Sequence, residues 1–175
     1  LAANDVLSWL DRERISVLHT VPSHAQSWLT NTTVEVSLNA MRWVFFAGES
    51  LTENLVNRWQ SSFPSAEIVN LYGPAETTLA KCFYQLSSGV QHGVQPLGRP
   101  LPQTQALVLS RDNQLCAIGE AGEIVLRTPF RSLGYINNPA ENRKRFVKNP
   151  FRDDEKDQLY YTGDSGRYRP DGMLE

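Results

Sequence analysis

The stretch that decides the fold is Ala66-Glu67-Ile68-Val69-Asn70-Leu71-Tyr72-Gly73-Pro74-Ala75-Glu76-Thr77-Thr78. Its apolar first half predicts a buried β-strand, and Gly73-Pro74 predicts a sharp turn in which a ligand can approach bare backbone. The residues around the turn suit a nucleotide. Tyr72 offers a ring for stacking, Asn70 an amide, and Glu76 a hard oxygen for Mg²⁺, while Thr77 adds a hydroxyl for phosphate. An ordinary strand-to-loop turn with a packed tyrosine explains the same residues.

Two further apolar segments, Ile15–Val21 and Arg42–Ala47, precede this strand. Helix-like segments separate the three strands, and Leu51–Phe63 is amphipathic with the helical period. Strands that alternate with helices predict parallel βαβ units. Ligands of such sheets bind at the carboxyl ends of the strands, so we expect the loops that follow the three strands to converge.

The pattern of the sequence changes after about residue 85. There Gly, Pro and Asn interrupt short apolar runs in which apolar and polar residues partly alternate. This pattern predicts a small, mostly antiparallel β subdomain. Asn138-Pro139 predicts the start of a short helix at Ala140–Phe146. We therefore divide the chain into an α/β subdomain at residues 1–88 and a β-rich subdomain at residues 89–175. The strands predicted in the second subdomain are Gln105–Leu109, Leu115–Ile118, Glu123–Leu126 and Gln158–Thr162.

The composition restricts the possible partners. Hydrophobic residues make up 41% and charged residues 21% of the 175 residues, as in globular domains. The net charge is −2 and no stripe of Lys and Arg occurs, which argues against nucleic-acid binding. No apolar run is long enough to span a bilayer. Cys82 and Cys116 match no metal-ligand spacing and predict free thiols in a reducing compartment. We expect a cytoplasmic protein with neither nucleic-acid nor membrane partners.

Three motifs, in order along the chain, resemble those of adenylate-forming enzymes. Asn70–Glu76 is similar to the family's Asn-x-Tyr-Gly-Pro-Thr-Glu motif. Gly122–Leu126, which leads to Gly134-Tyr135, resembles its Gly-Glu-Leu and Arg-Gly-Tyr region, and Tyr161–Asp164 resembles its Tyr-Arg/Lys-Thr-Gly-Asp signature. The chain is identified as a central fragment of an amino-acid adenylation domain of a nonribosomal peptide synthetase. The resemblance implies an α/β fold in which a parallel βαβ subdomain precedes a small, mostly antiparallel, β-barrel-like subdomain.

The resemblance also implies roles for individual residues. Tyr72 would stack on adenine, with the Asn70 side chain and the neighbouring backbone at the polar edge of the base. Asp164 would accept hydrogen bonds from the ribose hydroxyls, although without the other motifs it is better explained as a turn residue. Glu76 would hold Mg²⁺ and act in catalysis together with Thr77. The full set implied for nucleotide binding is Asn70, Leu71, Tyr72, Gly73 and Asp164.

A substrate pocket follows from the same motif alignment. Its implied residues, which would face the side chain of the acid, are His19, Phe45, Ala47, Leu71, Leu79 and Ala80. Plain core packing explains the apolar members equally well. His19 is open to two interpretations, as a structural histidine or as a specificity group.

The implied reaction is the ATP-dependent activation of an amino acid, or a related carboxylic acid, as an acyl-adenylate. ATP and Mg²⁺ would be the cofactors, and a phosphopantetheine thiol on a peptidyl carrier domain would accept the acyl group. Neighbouring synthetase domains would be further partners. The chain shows no nucleophile elbow and no triad, which suits a reaction driven by electrostatic stabilisation of phosphate charge.

Some expected parts are missing from the sequence. Ala75 stands where the family motif usually has threonine, which removes a hydroxyl expected near the phosphates. The family's phosphate loop and its C-terminal lid would lie outside residues 1–175. We therefore expect this fragment alone to be inactive. Two alternatives stay open: an acyl-CoA or aryl acid ligase of the same superfamily, and a non-catalytic α/β binding module.

Overall fold

The computed structural model describes residues 3–31 and 36–175. Within them the helices are α1 (Ala3–Arg12), α2 (Pro22–Asn31), α3 (Glu53–Ser62) and α4 (Pro139–Arg145). The strands are β1 (Val17–Thr20), β2 (Trp43–Ala47), β3 (Glu67–Tyr72), β4 (Cys82–Gln85), β5 (Arg99–Pro100), β6 (Gln105–Leu109), β7 (Gly122–Arg127), β8 (Phe146–Lys148) and β9 (Gln158–Gly166). Short 3-10 turns lie at Ala75–Thr77 and Leu86–Ser88.

The described residues form two compact units. The first unit comprises the described part of Leu1–Leu71 together with Tyr84–Pro96, and the second comprises Tyr72–Phe83 with Leu97–Glu175. The segment Tyr72–Phe83 thus groups with the later part of the chain, because Cys82 lies in the core of that unit and the Tyr72 ring packs against it. The boundary between the two subdomains, placed between residues 88 and 89 from the sequence, stays a prediction.

The first unit confirms the predicted parallel βαβ arrangement. β1 pairs in parallel with β2, and β2 with β3. One face of these strands is buried and includes Val44, Phe46 and Ile68. The α3 helix contributes Trp59, whose ring meets that of Phe46 edge-on at 5.8 Å. The apolar face predicted from the helical period is therefore the face that forms this core.

The second unit is mainly antiparallel, as predicted. Strands β6 to β9 form a sheet in the order β6-β7-β9-β8, and outside this sheet β4 pairs antiparallel with β5. Among the described residues this sheet is open, whereas the family resemblance implied a barrel-like subdomain. The buried core of the unit consists of Cys82, Ala106, Val108, Ile124, Leu126 and Leu174.

One predicted strand of the second unit is wrong. Leu115–Ile118 was expected to pair as a strand, but only Leu115 makes an isolated bridge, to Leu109. Leu115 is 60% and Ile118 67% exposed, so the apolar run does not mark a buried element here. The prediction failed because an apolar run by itself does not report burial. No helix in the described residues is long and apolar enough to cross a bilayer.

Candidate functional site

The loop that follows β3, which we call the Tyr72–Lys81 loop, is closed by its own backbone. The Lys81 amide donates to the Tyr72 carbonyl at 2.6 Å. Gly73 lies against the returning arm, where an added Cβ would overlap the Leu79 carbonyl oxygen and lie 2.7 Å from the Lys81 nitrogen. Thr78 and Leu79 both have left-handed φ angles, of 62° and 57°. A β-branched residue rarely adopts this conformation, and such strain is typical of ligand-binding loops.

The threonine hydroxyls of this loop bond to protein groups in the structure. Thr77 is buried and its Oγ1 donates to the Pro74 carbonyl at 3.1 Å. Thr78 Oγ1 donates to the Phe130 carbonyl at 2.8 Å. Ala75, at the position where the family has threonine, is exposed. A catalytic role of Thr77 stays a prediction, and its hydroxyl would have to exchange partners to donate to phosphate.

Lys81 is a buried cation that the sequence analysis did not identify. It is 5% exposed, and its Nζ donates to the carbonyls of Thr78 at 3.3 Å and Ala80 at 3.1 Å. The ammonium also lies 5.4 Å from the centre of the Phe130 ring. Burial lowers the pKa of Lys81 below its usual range. The hydrogen bonds of this side chain therefore hold the strained end of the Tyr72–Lys81 loop.

Tyr72 and Asp164, which are 92 positions apart in sequence, meet directly. The Tyr72 hydroxyl donates to Asp164 Oδ2 at 2.7 Å. The phenol is half-buried, and burial raises its pKa, so it remains a neutral donor. Asp164 is exposed, and a carboxylate has further acceptor sites beyond the one that Tyr72 uses. The pair leaves acceptor capacity for the vicinal hydroxyls of a ribose.

Residues Tyr161–Asp164, which include this carboxylate, lie within β9 where its pairing with β7 is irregular, and we call them the Tyr161–Asp164 turn. The turn is held by groups on β7. Thr162 Oγ1 donates to the Ile124 carbonyl at 2.7 Å and accepts from the Asp164 amide at 3.0 Å. The Gly163 amide donates to Glu123 Oε1 at 2.8 Å. Gly163 has a φ of 83°, which glycine adopts without strain.

Arg145, the last residue of α4, packs against the same turn. Its Nη1 donates to the Tyr161 carbonyl at 3.1 Å and lies 3.9 Å from Glu123 Oε1. Its Nε donates to Glu141, one helical turn earlier, at 2.7 Å. A Cβ added at Gly163 would lie 2.7 Å from Nη1, so the guanidinium sits directly over the glycine.

Glu76 is oriented by two tyrosines. The Tyr135 hydroxyl donates to Glu76 Oε1 at 2.6 Å and lies 3.2 Å from the Tyr160 hydroxyl. The Tyr135 hydrogen bond, more than any other contact, lowers the pKa of Glu76, so the carboxylate is ionised at neutral pH. Mg²⁺ at nucleotide sites usually takes one or two carboxylates and completes its shell with phosphates and water. A single ionised, half-buried carboxylate fits that requirement.

Asn70 has a structural contact that the sequence analysis did not predict. The residue is 3% exposed, and its Nδ2 donates to the Pro96 carbonyl at 2.8 Å. This hydrogen bond fixes the chain at the end of β3. Leu71 is half-buried beside it. Contacts of Asn70, Leu71 and Gly73 with adenine stay predictions.

The strand residues predicted for the substrate pocket lie on one face of the parallel strands. His19 is paired with Phe45, and Ala47 with Leu71, which places all four on the face opposite the buried core. His19 is exposed and stacks on Phe45 with ring centres 5.5 Å apart. This exposure argues against a buried structural histidine. The other three residues are half-buried.

The two remaining pocket residues belong to the Tyr72–Lys81 loop. Leu79 is 69% exposed and Ala80 is half-buried. A large apolar side chain that is held in a left-handed conformation and faces outward is accessible to a ligand. The assignment of these residues to a substrate pocket stays a prediction.

Sequence reasoning missed the residues that support the two carboxylates. Tyr135 lay in a matched motif but received no role, although a tyrosine after glycine is a usable signal. Arg145 and Asn142 lay in a basic helix segment that gave no functional signal. Their importance depends on contacts with residues 7 to 22 positions away, which no local pattern reveals.

Comparisons with known proteins show the family of this chain. A family model described as "AMP-binding enzyme" matches residues 1–136. Tyrocidine synthase 3 of Brevibacillus parabrevis is 33% identical over 163 residues, which are 93% of this chain and 2% of that protein. Bacitracin synthase 3 of Bacillus licheniformis is 33% identical over 172 residues, covering 94% of this chain and 3% of that protein. The chain therefore spans a small part of these relatives.

The fold is also similar to a solved structure. The AMPPNP-bound form of the nonribosomal peptide synthetase FmoA3 matches with a TM-score of 0.88 at 24% identity, over 99% of this chain and 19% of that chain. At this identity the likeness supports the fold alone. The match of the family model over most of the chain, together with the ordered motifs, shows that the chain belongs to the AMP-binding enzyme family.

Proposed function

We propose that this chain is the central part of an adenylation domain of a nonribosomal peptide synthetase, in secondary metabolite biosynthesis. The domain activates an amino acid, or a related carboxylic acid, with ATP. The observation that carries the proposal is the 2.7 Å hydrogen bond between Tyr72 and Asp164, which joins the residues proposed for adenine and ribose. The synthetase relatives support the same conclusion.

The chemistry proceeds in two halves. An oxygen of the substrate carboxylate attacks the α-phosphorus of ATP, and the bond to pyrophosphate breaks, giving an acyl-adenylate. The acyl group would then pass to the phosphopantetheine thiol of a carrier domain, as its bond to AMP breaks. When bound, Mg²⁺ neutralises phosphate charge as pyrophosphate leaves. Glu76 would hold this ion.

The residues of this chain bind and orient the nucleotide. Tyr72 offers its ring to the adenine while its hydroxyl fixes Asp164 Oδ2. Asp164 accepts from the ribose hydroxyls with its remaining acceptor sites. Tyr135 donates to Glu76, which orients the carboxylate and lowers its pKa further below neutral. Correct positioning of this kind supplies most of the catalysis of phosphoryl and nucleotidyl transfer.

The substrate side chain would meet the half-exposed face that His19, Phe45 and Ala47 share. We also propose a cytoplasmic location, since the reaction consumes ATP. The carrier domain and the neighbouring synthetase domains are the proposed partners. Residues 1–175 alone are expected to be inactive, because other parts of the nucleotide site would come from the rest of the protein.

The test is ATP–pyrophosphate exchange by the full-length protein that contains these residues, with a panel of amino acids and aryl acids. We expect exchange with at least one acid, and a loss of 100-fold or more in Asp164→Asn and Glu76→Gln, on the order of a removed charged contact. The matched control is Asp153→Asn, an exposed carboxylate that should leave exchange unchanged.

Other outcomes favour the alternatives. Exchange followed by transfer to free coenzyme A, and not to a carrier domain, indicates an acyl-CoA or aryl acid ligase. Absence of ATP binding in calorimetry of the full-length protein contradicts the proposal and indicates a binding module. Exchange catalysed by residues 1–175 alone contradicts the expected inactivity of the fragment.

A further inference from the structure

The short helix α4 contacts the residues that hold Glu76 and the turn that contains Asp164, although it belongs to no recognised motif. Two of its residues, Asn142 and Arg145, are three positions apart and so project from neighbouring positions on one side of the helix. Asn142 reaches the segment that contains Tyr135, and Arg145 reaches the Tyr161–Asp164 turn. The two contacts lead to different ends of the proposed nucleotide site.

The first path runs from Asn142 to Glu76. Asn142 Oδ1 accepts from the Tyr135 amide at 2.6 Å, and its Nδ2 donates to the Tyr135 carbonyl at 2.9 Å. These two bonds fix the backbone of Tyr135 on both sides. The Tyr135 hydroxyl then donates to Glu76 Oε1 at 2.6 Å. Gly134 packs against the amide, since a Cβ there would lie 2.7 Å from Asn142 Oδ1.

The second path runs from Arg145 to Asp164. The guanidinium bonds to the Tyr161 carbonyl at 3.1 Å and lies over Gly163, whose amide is held by Glu123. The side chain is 22% exposed, so part of it is removed from water. Glu141, one turn earlier in α4, holds the guanidinium at 2.7 Å and limits its movement.

The helix is anchored well enough to act as a support. Asn138 caps its first turn by accepting from the Glu141 amide at 3.2 Å, and Pro139 occupies the first helical turn. Phe146, directly after the helix, packs between the rings of Tyr135 and Tyr160 at 5.8 and 5.0 Å. A shift of α4 would therefore disturb both paths.

We infer that α4 is the common support of the two nucleotide-binding carboxylates, with Arg145 positioning Asp164 for the ribose and Asn142 positioning Glu76 for the metal through Tyr135. This inference rests on the proposed function. Both residues are positioning residues, since neither touches the reacting atoms. Groups that orient a ligating residue commonly change metal affinity by 10- to 100-fold when they are removed.

The test uses two binding measurements on the full-length protein. Isothermal titration gives the ratio of the dissociation constants for 2′-deoxy-ATP and ATP, which reports on Asp164. Electron paramagnetic resonance with Mn²⁺ as the probe ion, in the presence of ATP, gives the affinity of the metal site. Arg145→Met is expected to reduce the discrimination against 2′-deoxy-ATP at least threefold and to change Mn²⁺ affinity less than twofold.

Asn142→Ala is expected to show the opposite pattern. It should weaken Mn²⁺ binding about tenfold and leave the ratio for the two nucleotides within twofold of the wild-type value. Arg143→Met and Lys144→Met are matched controls, because these neighbours on α4 are exposed, and both should behave as wild type. If Arg145→Met does not fold, Arg145→Lys replaces it, since a lysine cannot reach Tyr161 and Glu141 together.

The outcomes separate this inference from the proposed function. Binding of ATP by the wild type with unchanged ratios and unchanged Mn²⁺ affinity in both variants overturns the role of α4. Equal changes of both measurements in each variant also overturn it, since they indicate general destabilisation. Failure of the wild-type protein to bind ATP overturns the proposed function itself.

Discussion

The Tyr72–Lys81 loop and the Tyr161–Asp164 turn each contain a carboxylate proposed to bind the nucleotide, yet they are held in different ways. The loop is fixed by its own backbone, through the close approach of Gly73 to the returning arm and the hydrogen bond from Lys81 to Tyr72. The turn is fixed mainly by side chains from β7 and α4, above all Glu123 and Arg145. Restraints within one segment can be recognised from its local sequence pattern, whereas restraints between distant segments cannot.

The largest effect is expected for Gly73→Ala. The added Cβ would overlap the Leu79 carbonyl, and the clash is with backbone that cannot rotate away. The loop should lose at least about 3 kcal/mol of local stability, which hydrogen exchange of residues 72–81 in the full-length protein measures. Gly89→Ala is the control, because a Cβ at Gly89 meets nothing within 4 Å and suffers only from the φ of 112°. Equal losses in the two variants contradict the prediction.

A smaller effect is expected for Gly163→Ala in the turn. The new Cβ would meet the Arg145 guanidinium, which is the flexible end of a side chain, and would also add the cost of a positive φ. We expect a local loss of about 2 kcal/mol. In an Arg145→Ala background the loss should fall to about 1 kcal/mol, the cost of the backbone conformation alone. A loss that does not depend on residue 145 indicates that Arg145 does not hold the turn.

Tyr135→Phe tests how Glu76 is held. Removal of the hydroxyl should cost about 1.5 kcal/mol and raise the pKa of Glu76, because this hydrogen bond stabilises the ionised form. In the wild type the folded-state pKa is lowered, so the stabilisation is present above the unfolded pKa of about 4.3 and is lost as the pH falls through the folded value. A pH titration of Glu76 followed by carbon-detected NMR measures the pKa in both proteins, with the Glu76 signal assigned from Glu76→Gln. An unchanged pKa in Tyr135→Phe rules out this coupling.

The smallest effect is expected for Lys81→Met, and it depends on pH. Burial lowers the pKa of Lys81, so between the folded value and the unfolded value of about 10.4 the unfolded chain binds more protons. Stability of the wild type therefore rises with pH across that window. The wild type should therefore gain stability relative to Lys81→Met as the pH increases from neutral. Hydrogen exchange measures this, once the rates are corrected for the intrinsic exchange rate at each pH. Lys144→Met, at an exposed position, should show no such gain.

The strands show which elements a local sequence pattern can predict and which it cannot. Gln105–Leu109 was predicted with its observed bounds, because a short, mostly apolar run ends at turn formers. The short strands β4, β5 and β8 were missed, since two to four residues carry too little periodicity to be recognised. Leu115–Ile118 failed for the opposite reason, since its apolar residues are exposed.

The sequence by itself determined the family, the parallel and antiparallel parts of the fold, and the identity of Tyr72, Glu76 and Asp164 as candidate residues. These features follow from local chemistry: periodicity, the glycine-proline turn and short ordered motifs. Only the tertiary structure decided that Tyr72 bonds to Asp164, that Tyr135 holds Glu76, and that α4 contacts the supports of both carboxylates. Such contacts join residues up to 92 positions apart, and their geometry depends on packing that no local segment specifies.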